Sequence, residues 1–460
     1  MRSVSCTASL QETNFMAKPK GLYVLLGTLL TVVVGAAAYV AYRTRSVPTP
    51  RRRWWRFHRP GARRLRGSAC ERMQGIYSVE KGTEVFGDTA VVKCSYTIER
   101  RRKIFHLSFF CQKNGTYFVC EAKVRRGAVL LYGYWRKAGS NGTGLVHLVM
   151  SKTAGASALL QQGTTQTMLL QGRFGNDNKR PHLPLLLRYK HALPLNDSFE
   201  IIGHRGAARN VDFLPVSENS LAMMKMAARL GATGVEIDVR MTKDGVPVIF
   251  HDSFLSVHTV KNKIYGGLIH NYTLRELKRL RLRKGGVMPT LDECLHTLLH
   301  KTPLQTVWLD IKKECNLEIV QQLQERYLQR ATALGRKFFI YIGIPDNDVL
   351  KCFVQLKGYE EIPSLVEMNP EVVMNVNANV WAPQYTGGFQ PENVAVMHSA
   401  GKKAFVWSLD SQFLIDLYMS EGGFDGLVTN APPVAAHWYY VLASRFGFNG
   451  NETKTMMAQR

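Results

Sequence analysis

The spacing of hydrophobic and polar residues changes twice along this chain. An uninterrupted apolar run occupies residues 21–42, and short runs of alternating polar and apolar residues follow between residues 71 and 196. From residue 199 onward, short apolar runs alternate with longer segments whose apolar residues recur every three or four positions. Alternation is typical of strands with one buried face, and the longer spacing is typical of amphipathic helices. The pattern therefore predicts three structurally different regions.

The first region is predicted to be a transmembrane helix. Residues 21–42 carry no charge, and about 20 apolar residues are enough to cross a bilayer. Tyr23, Tyr39 and Tyr42 stand near its ends, where amphipathic rings favour the membrane interface. The alternative is a cleaved signal peptide, whose apolar region is usually shorter. We predict a single-pass membrane protein with an N-terminal tail at residues 1–20.

The charge of the chain is concentrated in its first two fifths. The formal net charge is +25, and residues 43–66 hold 10 Arg and no acid, whereas residues 199–460 carry 28 basic and 26 acidic side chains. By the positive-inside rule the large C-terminal part lies in the cytosol. We expect residues 43–70 to form a basic Pro/Arg-rich linker, either along the membrane surface or disordered. No nucleic-acid motif accompanies the basic residues, so the expected partner is an anionic membrane and not nucleic acid.

Residues 71–196 are predicted to form a β-rich accessory domain. Its apolar and polar residues alternate in runs such as residues 90–99, 104–113, 116–124, 128–136 and 144–151, with Gly, Asn and Asp between them. This pattern is typical of an antiparallel sandwich or barrel. The domain either binds a lipid or only packs against its neighbour.

Residues 199–440 are predicted to form an α/β TIM barrel, followed by a C-terminal tail at residues 441–460. Strand-like and helix-like segments alternate over roughly 240 residues, which fits eight strand-helix units. The predicted strands are residues 199–203, 234–240, 246–252, 306–312, 338–343, 362–368, 403–409 and 425–430.

Four consecutive predicted strands end on ionisable side chains. These are His204 with Arg205, Glu236 with Asp238, His251 with Asp252, and Asp310 with Lys312. Residues two apart on a strand share a face, and catalytic residues of TIM barrels lie at the carboxyl ends of the strands. Three converging carboxylates repel one another unless a cation lies between them, and oxygen ligands favour Mg²⁺ or Ca²⁺ over Zn²⁺.

Two imidazoles beside a divalent cation and two basic groups are suited to phosphodiester hydrolysis. The cation, Arg and Lys neutralise the phosphoryl oxygens, while one His removes a proton and the other donates one. Each residue also has a simpler interpretation. A His at a strand end is often structural, and Asp252 either orients His251 or caps the next turn.

The ordered motifs of the C-terminal region resemble those of the glycerophosphodiester phosphodiesterase family. The matching pieces are GHRG, SENS, GVEIDVRMTKDGVPVIFHD, MPTLDECL, LDIK, VWSLD and FDGLVTNAP, and they span residues 199–438. The resemblance implies a TIM barrel that hydrolyses glycerophosphodiesters with a divalent cation. The roles that it implies are catalysis for His204 and His251, metal binding for Glu236, Asp238 and Asp310, phosphate contacts for Arg205 and Lys312, and support of the site for Glu218 and Asn219.

Two positions depart from the usual motifs of the family. Asp310 stands where most members have Glu, so the third metal ligand is one methylene shorter. Trp407 begins a Trp-Ser-Leu-Asp sequence where many members have Trp-Thr-Val-Asn. We expect Trp407 to form an apolar wall for the glycerol group, although a core tryptophan is the simpler interpretation.

The expected function is metal-dependent hydrolysis of glycerophosphodiesters to glycerol 3-phosphate and an alcohol, by His acid-base catalysis at a membrane. One alternative is a lysophospholipase D that acts on lysophospholipids. Another is a membrane-tethered lipid-binding protein without catalytic activity. The sequence predicts neither the head group nor an oligomeric state.

Overall fold

A computed structural model describes residues 20–113, 115–161, 167–194, 199–261 and 266–446 of the chain. Helix α1 (Lys20–Arg43) is a compact unit by itself, and the described residues from Thr44 to Phe446 form a second unit. Residues 24–43 have a mean hydropathy of 2.2, so the helix is long and apolar enough to cross a membrane. A signal sequence near the N-terminus would also meet this criterion. The hydroxyls of Thr28 and Thr31 donate to backbone carbonyls four residues earlier, which satisfies both groups inside the helix.

The second region is an antiparallel barrel, which confirms the predicted β-rich domain. Eight strands close through pairing between β5 and β6, and the short strand β1 extends β5. The strands are β1 (Arg63–Arg64), β2 (Gly75–Lys81), β3 (Thr89–Glu99), β4 (Arg102–Cys111), β5 (Thr116–Arg125), β6 (Ala128–Lys137), β7 (Thr143–Met150), β8 (Leu169–Asn176) and β9 (Leu183–His191). Four short helices accompany them: α2 (Trp55–His58), α3 (Gly67–Arg72), α4 (Thr83–Phe86) and α5 (Ser157–Leu160).

Aromatic side chains fill the interior of this barrel. Phe86 packs against Phe118 and Phe174 with ring centroids 5.4 and 5.0 Å apart, and Phe109 stacks on Phe118 at 4.2 Å. These rings are fully buried, as expected for inward-facing positions of small barrels.

The basic segment between helix α1 and the first barrel packs on the barrel over much of its length. Phe57 and Leu65 are buried, and the Arg136 guanidinium donates to the Val47 carbonyl at 2.7 Å. This differs from a disordered linker, because aromatic and aliphatic residues between the arginines supply contacts with the β barrel, and its position along a membrane surface stays a prediction. The predicted tails lie outside the described residues, except for Lys20 and for residues 441–446, which continue the last helix.

The C-terminal region is an eight-stranded parallel barrel, which confirms the predicted TIM barrel. Pairing of the first strand with both the second and the last closes the barrel. In chain order its strands are β10 (Glu200–Gly203), β11 (Gly234–Met241), β15 (Thr306–Ile311), β16 (Phe339–Ile344), β17 (Ser364–Val366), β18 (Val380–Trp381), β19 (Lys403–Val406) and β20 (Gly426–Thr429). Three further strands lie outside the parallel set: β12 (Pro247–Ile249), β13 (Phe254–Leu255) and β14 (Gly267–Leu268).

One predicted barrel strand is wrong and one real strand is missing from the prediction. Residues 246–252 contain β12, which pairs antiparallel with β11 and is not one of the eight parallel strands. Only five residues separate the two strands, whereas a parallel crossover needs about a dozen. The missing parallel strand is β18, whose two residues are too few to give a recognisable apolar run.

Helices surround the parallel barrel and bury its outward-facing residues. The helices are α6 (Leu221–Ala227), α7 (Leu274–Leu277), α8 (Leu291–Lys301), α9 (Leu317–Ala333), α10 (Asn347–Phe353), α11 (Pro370–Asn375), α12 (Pro391–Ser399), α13 (Gln412–Glu421) and α14 (Pro432–Phe446). Val235, Ile237 and Val239 of β11 join the helix-side core, so the alternate residues of this strand face the barrel interior.

The two barrels pack against each other through helix α14 and strands β3 and β4. His437 Nδ1 lies 2.9 Å from the Phe110 carbonyl, and Lys93 Nζ donates to the Tyr440 hydroxyl at 2.6 Å. The Arg229 guanidinium also reaches the Thr97 hydroxyl at 3.0 Å. Buried polar contacts thus accompany the apolar packing between the barrels.

Candidate active site

The carboxyl ends of the parallel strands bring the predicted site residues together. His204 follows β10, Glu236 and Asp238 lie on β11, and Asp310 lies on β15, one residue before its end. His251 comes from the loop after β12, because the hairpin of β11 and β12 returns the chain to the same rim. All of these side chains converge, as expected for the catalytic face of a TIM barrel.

Glu236, Asp238 and Asp310 form a carboxylate cluster. Asp238 and Asp310 are register partners on adjacent strands, and Glu236 faces the same side two residues earlier. One oxygen from each lies within 4.8 Å of the other two. The Glu236 and Asp238 side chains are only 4% and 1% exposed. Carboxylates this close and this buried need positive charge among them.

Lys312 supplies part of that charge. Its ammonium lies 2.8 Å from Asp238 Oδ1 and 2.5 Å from Asp310 Oδ2. Burial is the largest single influence on the pKa of Asp238 and acts to raise it, but Lys312, His251 and Arg205 together hold that pKa below its ordinary value. Burial and the charges of Asp238 and Asp310 raise the pKa of Glu236 well above its ordinary range. One ammonium therefore does not neutralise the whole cluster.

The donor set fits a divalent cation. Glu236 Oε1 is buried and has no hydrogen-bond partner among the described residues, although its other oxygen accepts the Arg205 backbone N–H at 2.6 Å. An unpartnered buried carboxylate oxygen is costly unless something binds it. The three carboxylates offer oxygen atoms only, which are the ligands of hard cations.

Asn430 orients the His204 ring. His204 Nδ1 lies 2.9 Å from Asn430 Oδ1, and the Asn430 side-chain and backbone N–H groups both donate to Asp410 at 2.8 Å. Since a carboxylate only accepts, Asp410 determines which way the Asn430 amide points. The amide oxygen then accepts the Nδ1 proton, so His204 Nε2 carries the lone pair of the neutral ring.

The free nitrogen of His204 faces the carboxylate cluster. Its Nε2 lies 3.9 Å from Glu236 Oε2, and the side chain is 23% exposed. Burial and the nearby Arg205 charge lower the pKa of His204 to about 4, despite the opposing effect of Asp238. The imidazole is therefore neutral at physiological pH.

His251 has a different set of partners. Its Nδ1 lies 2.8 Å from Asp252 Oδ1, and its backbone carbonyl accepts hydrogen bonds from Arg240 Nε at 2.9 Å and Nη2 at 2.7 Å. Arg240 is in turn ion-paired with Glu314. The hydrogen bond with His251 is the main cause that lowers the pKa of Asp252. A carboxylate thus holds one nitrogen of this ring, and an arginine holds its backbone.

Both imidazoles lie within electrostatic range of the same carboxylate. His251 contributes electrostatically to the lowered pKa of Asp238, and Asp238 acts to raise the pKa of His204. The structure therefore places the two predicted catalytic histidines around one cluster.

Glu218 and Asn219 hold other site residues in place. Glu218 accepts hydrogen bonds from Arg205 Nη1 at 3.2 Å and from the Asn210 backbone at 2.6 Å. Asn219 Nδ2 donates to Asp238 Oδ2 at 2.7 Å. Arg205 and Asn219 both have a left-handed backbone with φ of 52°, and the Asn219 N–H donates to the Arg205 carbonyl at 2.9 Å. Such a conformation costs on the order of 1–3 kcal/mol in a residue other than glycine, and these hydrogen bonds offset part of it.

Trp407 lies at the end of β19, beside the apolar interior of the barrel. It is half-buried, its indole N–H donates to the Ala382 carbonyl at 2.8 Å, and it packs against the cluster that contains Trp308 and Tyr341. This placement is consistent with both the apolar wall and the core position considered from the sequence.

Sequence reasoning missed four polar residues around the site. Arg240, Asp410 and Asn430 act through the histidines, and Glu367 follows β17 within electrostatic range of Asp310. Burial and the charge of Asp310 raise the pKa of Glu367 well above its ordinary value. Glu367 and Asn430 each stand directly after a strand, and that position could have identified them as candidate site residues.

Part of the C-terminal domain is similar to proteins of a known family. Residues 204–354 match the model of the glycerophosphoryl diester phosphodiesterase family. A relative named glycerophosphodiester phosphodiesterase from Caldanaerobacter subterraneus is 27% identical over 244 residues, which cover 50% of this chain and 94% of that protein. Human glycerophosphodiester phosphodiesterase 1 is 26% identical over 214 residues, which cover 44% of this chain and 56% of that protein. Residues 204–354, within the C-terminal barrel, therefore match the glycerophosphodiester phosphodiesterase family.

A solved structure is also similar to this domain. The glycerophosphodiester phosphodiesterase from Parabacteroides distasonis is 22% identical, covers 54% of this chain and 99% of its own, and has a TM-score of 0.42. The chain spans nearly all of the bacterial relative but only about half of the human one.

Proposed function

We propose that the chain hydrolyses glycerophosphodiesters to glycerol 3-phosphate and an alcohol. The observation that carries the proposal is the convergence of two differently held imidazoles on one buried carboxylate cluster. Relatives named for this activity match 50% and 44% of the chain. Paired acid-base groups beside a cation site are suited to cleavage of a phosphodiester.

Glu236, Asp238 and Asp310 would hold the divalent cation, Mg²⁺ or Ca²⁺. When bound, the cation would neutralise charge on the phosphoryl oxygens and polarise the phosphorus centre. Arg205 and Lys312 would contact the remaining phosphate oxygens. Their side chains are only 17% and 19% exposed, so little water screens their charges.

The different hydrogen bonds of the two rings support different proposed roles for them. His204 keeps its proton on Nδ1 against the Asn430 oxygen, so its Nε2 lone pair is available as a general base. His251, whose Nδ1 is held by Asp252, would act as the general acid and donate a proton from Nε2 to the leaving alcohol. The attacking hydroxyl belongs either to the substrate or to water. Attack by either hydroxyl uses the same two proton transfers. Only attack by the substrate's own hydroxyl forms a cyclic phosphate, which can be trapped.

The N-terminal helix supports a membrane location for this activity. A helix with the length and composition of α1 would hold the chain at a bilayer, and the arginines after it favour a cytosolic catalytic domain. A lysophospholipid is then a second candidate substrate, and its cleavage on the head-group side would give lysophosphatidic acid. Trp407 would form an apolar wall beside the glycerol group of either substrate.

A release assay with two substrates tests the proposal. Purified full-length protein is incubated with glycerophosphocholine and with lysophosphatidylcholine, each with and without a chelator. Chelator-sensitive release of glycerol 3-phosphate or lysophosphatidic acid supports hydrolysis and identifies the substrate class. Binding of either substrate without any product supports the third candidate, a membrane-tethered lipid-binding protein.

A further inference from the structure

A groove on the outside of the β barrel contains five arginines. Arg52, Arg53 and Arg56 come from the segment after helix α1, Arg173 comes from β8, and Arg180 comes from the loop after β8. The groove encloses about 1100 Å³. None of its lining residues belongs to the candidate active site.

The charge of this groove is not neutralised by the protein. Its lining contains no Asp or Glu, and within the described residues none of the five guanidinium groups forms an ion pair with a carboxylate. Five clustered positive charges without acids repel one another. An anion of high charge density would remove that repulsion.

Aromatic residues complete the groove. Trp54 stacks on His147 with ring centroids 4.5 Å apart and planes 7° apart, while the neighbouring Trp55 is 52% exposed. His147 Nε2 is buried and has no hydrogen-bond partner among the described residues. The groove therefore combines guanidinium groups, a ring nitrogen without a hydrogen-bond partner and the exposed indole of Trp55. An exposed indole favours the interface between water and lipid.

The backbone that carries the arginines is held in place. The Tyr132 hydroxyl donates to the Arg52 carbonyl at 3.0 Å, and the Arg51 N–H donates to Asn178 Oδ1 at 3.0 Å. Phe57 is 2% exposed and packs against Tyr132 with ring centroids 5.3 Å apart. A fixed backbone presents the guanidinium groups together, which lowers the entropic cost of binding an anion.

We propose that this groove binds the phosphomonoester head group of an anionic phospholipid. A guanidinium fork matches two phosphate oxygens at once, and a phosphomonoester carries more charge than the phosphodiester of a neutral phospholipid. Only eight residues separate Arg43, the last residue of the apolar helix, from Arg52. The covalent link to that helix and the exposed indole favour a lipid over nucleic acid. Hydrolytic activity is not required for this binding.

Soluble short-chain lipids test the proposal without contributions from membrane insertion. Full-length protein in a mild detergent is titrated with dioctanoyl phosphatidic acid, dioctanoyl phosphatidylcholine, inorganic phosphate and a double-stranded DNA oligonucleotide, and binding is followed by calorimetry. We expect saturable binding of phosphatidic acid that is at least about tenfold tighter than binding of the other three ligands, because only this ligand combines a phosphomonoester for the guanidinium groups with apolar chains beside the exposed indole.

Two independent variants and one matched control locate the binding. Arg53→Gln with Arg180→Gln, and separately Arg52→Gln with Arg56→Gln, should each weaken phosphatidic acid binding about tenfold or more. Arg100→Gln with Arg101→Gln removes the same charge from the exposed turn between β3 and β4 and should leave the affinity unchanged. Melting temperatures confirm that all variants are folded.

Three outcomes would overturn the proposal. The first is equal affinity for phosphatidic acid and phosphatidylcholine, and the second is unchanged phosphatidic acid binding in both groove variants. The third is that inorganic phosphate or DNA binds as tightly as the lipid and shows the same dependence on the groove arginines, which would assign the groove to a different ligand.

Discussion

His204 Nδ1 lies 2.9 Å from Asn430 Oδ1, whereas the other predicted catalytic histidine has a carboxylate at the same position of its ring. The Asn430 amide is itself held by Asp410 through two hydrogen bonds of 2.8 Å. This contact holds the proton on one nitrogen of His204 and leaves the other available. The two histidines thus differ in their hydrogen-bond partners, and the proposed division between base and acid rests on that difference.

Removing the Asn430 amide should impair catalysis more than substrate binding. Asn430→Ala frees the His204 ring to rotate and to change tautomer, so we expect kcat to fall about 10- to 100-fold while KM changes little. Steady-state kinetics with glycerophosphocholine measures both parameters. Asn347→Ala, at the exposed start of α10, is the matched control. A loss confined to KM would contradict a positioning role.

Arg240→Lys should misplace His251. Lysine retains a positive charge beside Glu314 but cannot donate two hydrogen bonds from a planar fork to the His251 carbonyl. We expect kcat to fall about tenfold or more, with a melting temperature close to that of the wild type. Arg326→Lys on the surface of α9 is the control. Unchanged kcat in Arg240→Lys would show that this contact does not position the ring.

Binding of a divalent cation should stabilise the fold independently of activity. Under the proposed function, Mg²⁺ or Ca²⁺ would bind the carboxylate cluster of the folded chain and not the unfolded chain, and a ligand at 100 times its dissociation constant adds about 2.7 kcal/mol to the free energy of unfolding. We expect a higher melting temperature with one of these ions, and no such increase in Glu236→Gln or Asp238→Asn.

The matched control for the cation experiment is Glu325→Gln, on helix α9. This variant should respond to the cation as the wild type does. An equal increase in melting temperature for Glu236→Gln would place the cation elsewhere on the protein.

The carboxylate cluster was predictable because its geometry follows from the spacing of residues within one strand and from the pairing of two neighbouring strands. Glu236 and Asp238 share a face at a spacing of two residues, and the parallel register places Asp310 beside Asp238. The residues that orient the histidines were harder to predict. Asn430 and Asp410 are 226 and 206 positions from His204 in the chain, so only closure of the barrel brings them to it.

The errors in the fold prediction have a similar cause. The apolar run that contains β12 resembles a buried strand, and periodicity alone does not distinguish a parallel partner from an antiparallel one. The five-residue connection to β11 does distinguish them, because it is too short for a crossover. The packed segment after helix α1 was missed because its ten arginines obscure the contribution of residues such as Phe57, which is buried against the β barrel.

Stability should decrease in mild acid because of His106. Burial and the charges of Arg229 and Arg64 hold the pKa of this ring well below its ordinary value of about 6.5. As pH falls through about 6.5, the unfolded chain takes up a proton that the folded chain does not, so the free energy of unfolding decreases. Its full contribution is present above that pH.

Chemical denaturation at about pH 7.5 and pH 5.5 measures this effect. His106→Gln, which can still bond the Thr97 hydroxyl, should lose less stability between the two pH values than the wild type. His191→Gln, at an exposed position of β9, should behave like the wild type. Equal pH dependence in all three proteins would mean that His106 titrates normally.

The most direct test measures the glycerol 3-phosphate that is released from glycerophosphocholine. The purified wild type, His204→Asn and His251→Asn are compared in the presence of the cation that raises the melting temperature. We predict release by the wild type that stops on chelation and resumes when the cation is restored. Each variant should be slower by about 10²- to 10⁴-fold, as expected for loss of a general acid or base. Near-normal release by either folded variant, or release by the wild type that chelation does not affect, would contradict a single cation-dependent site with two catalytic histidines.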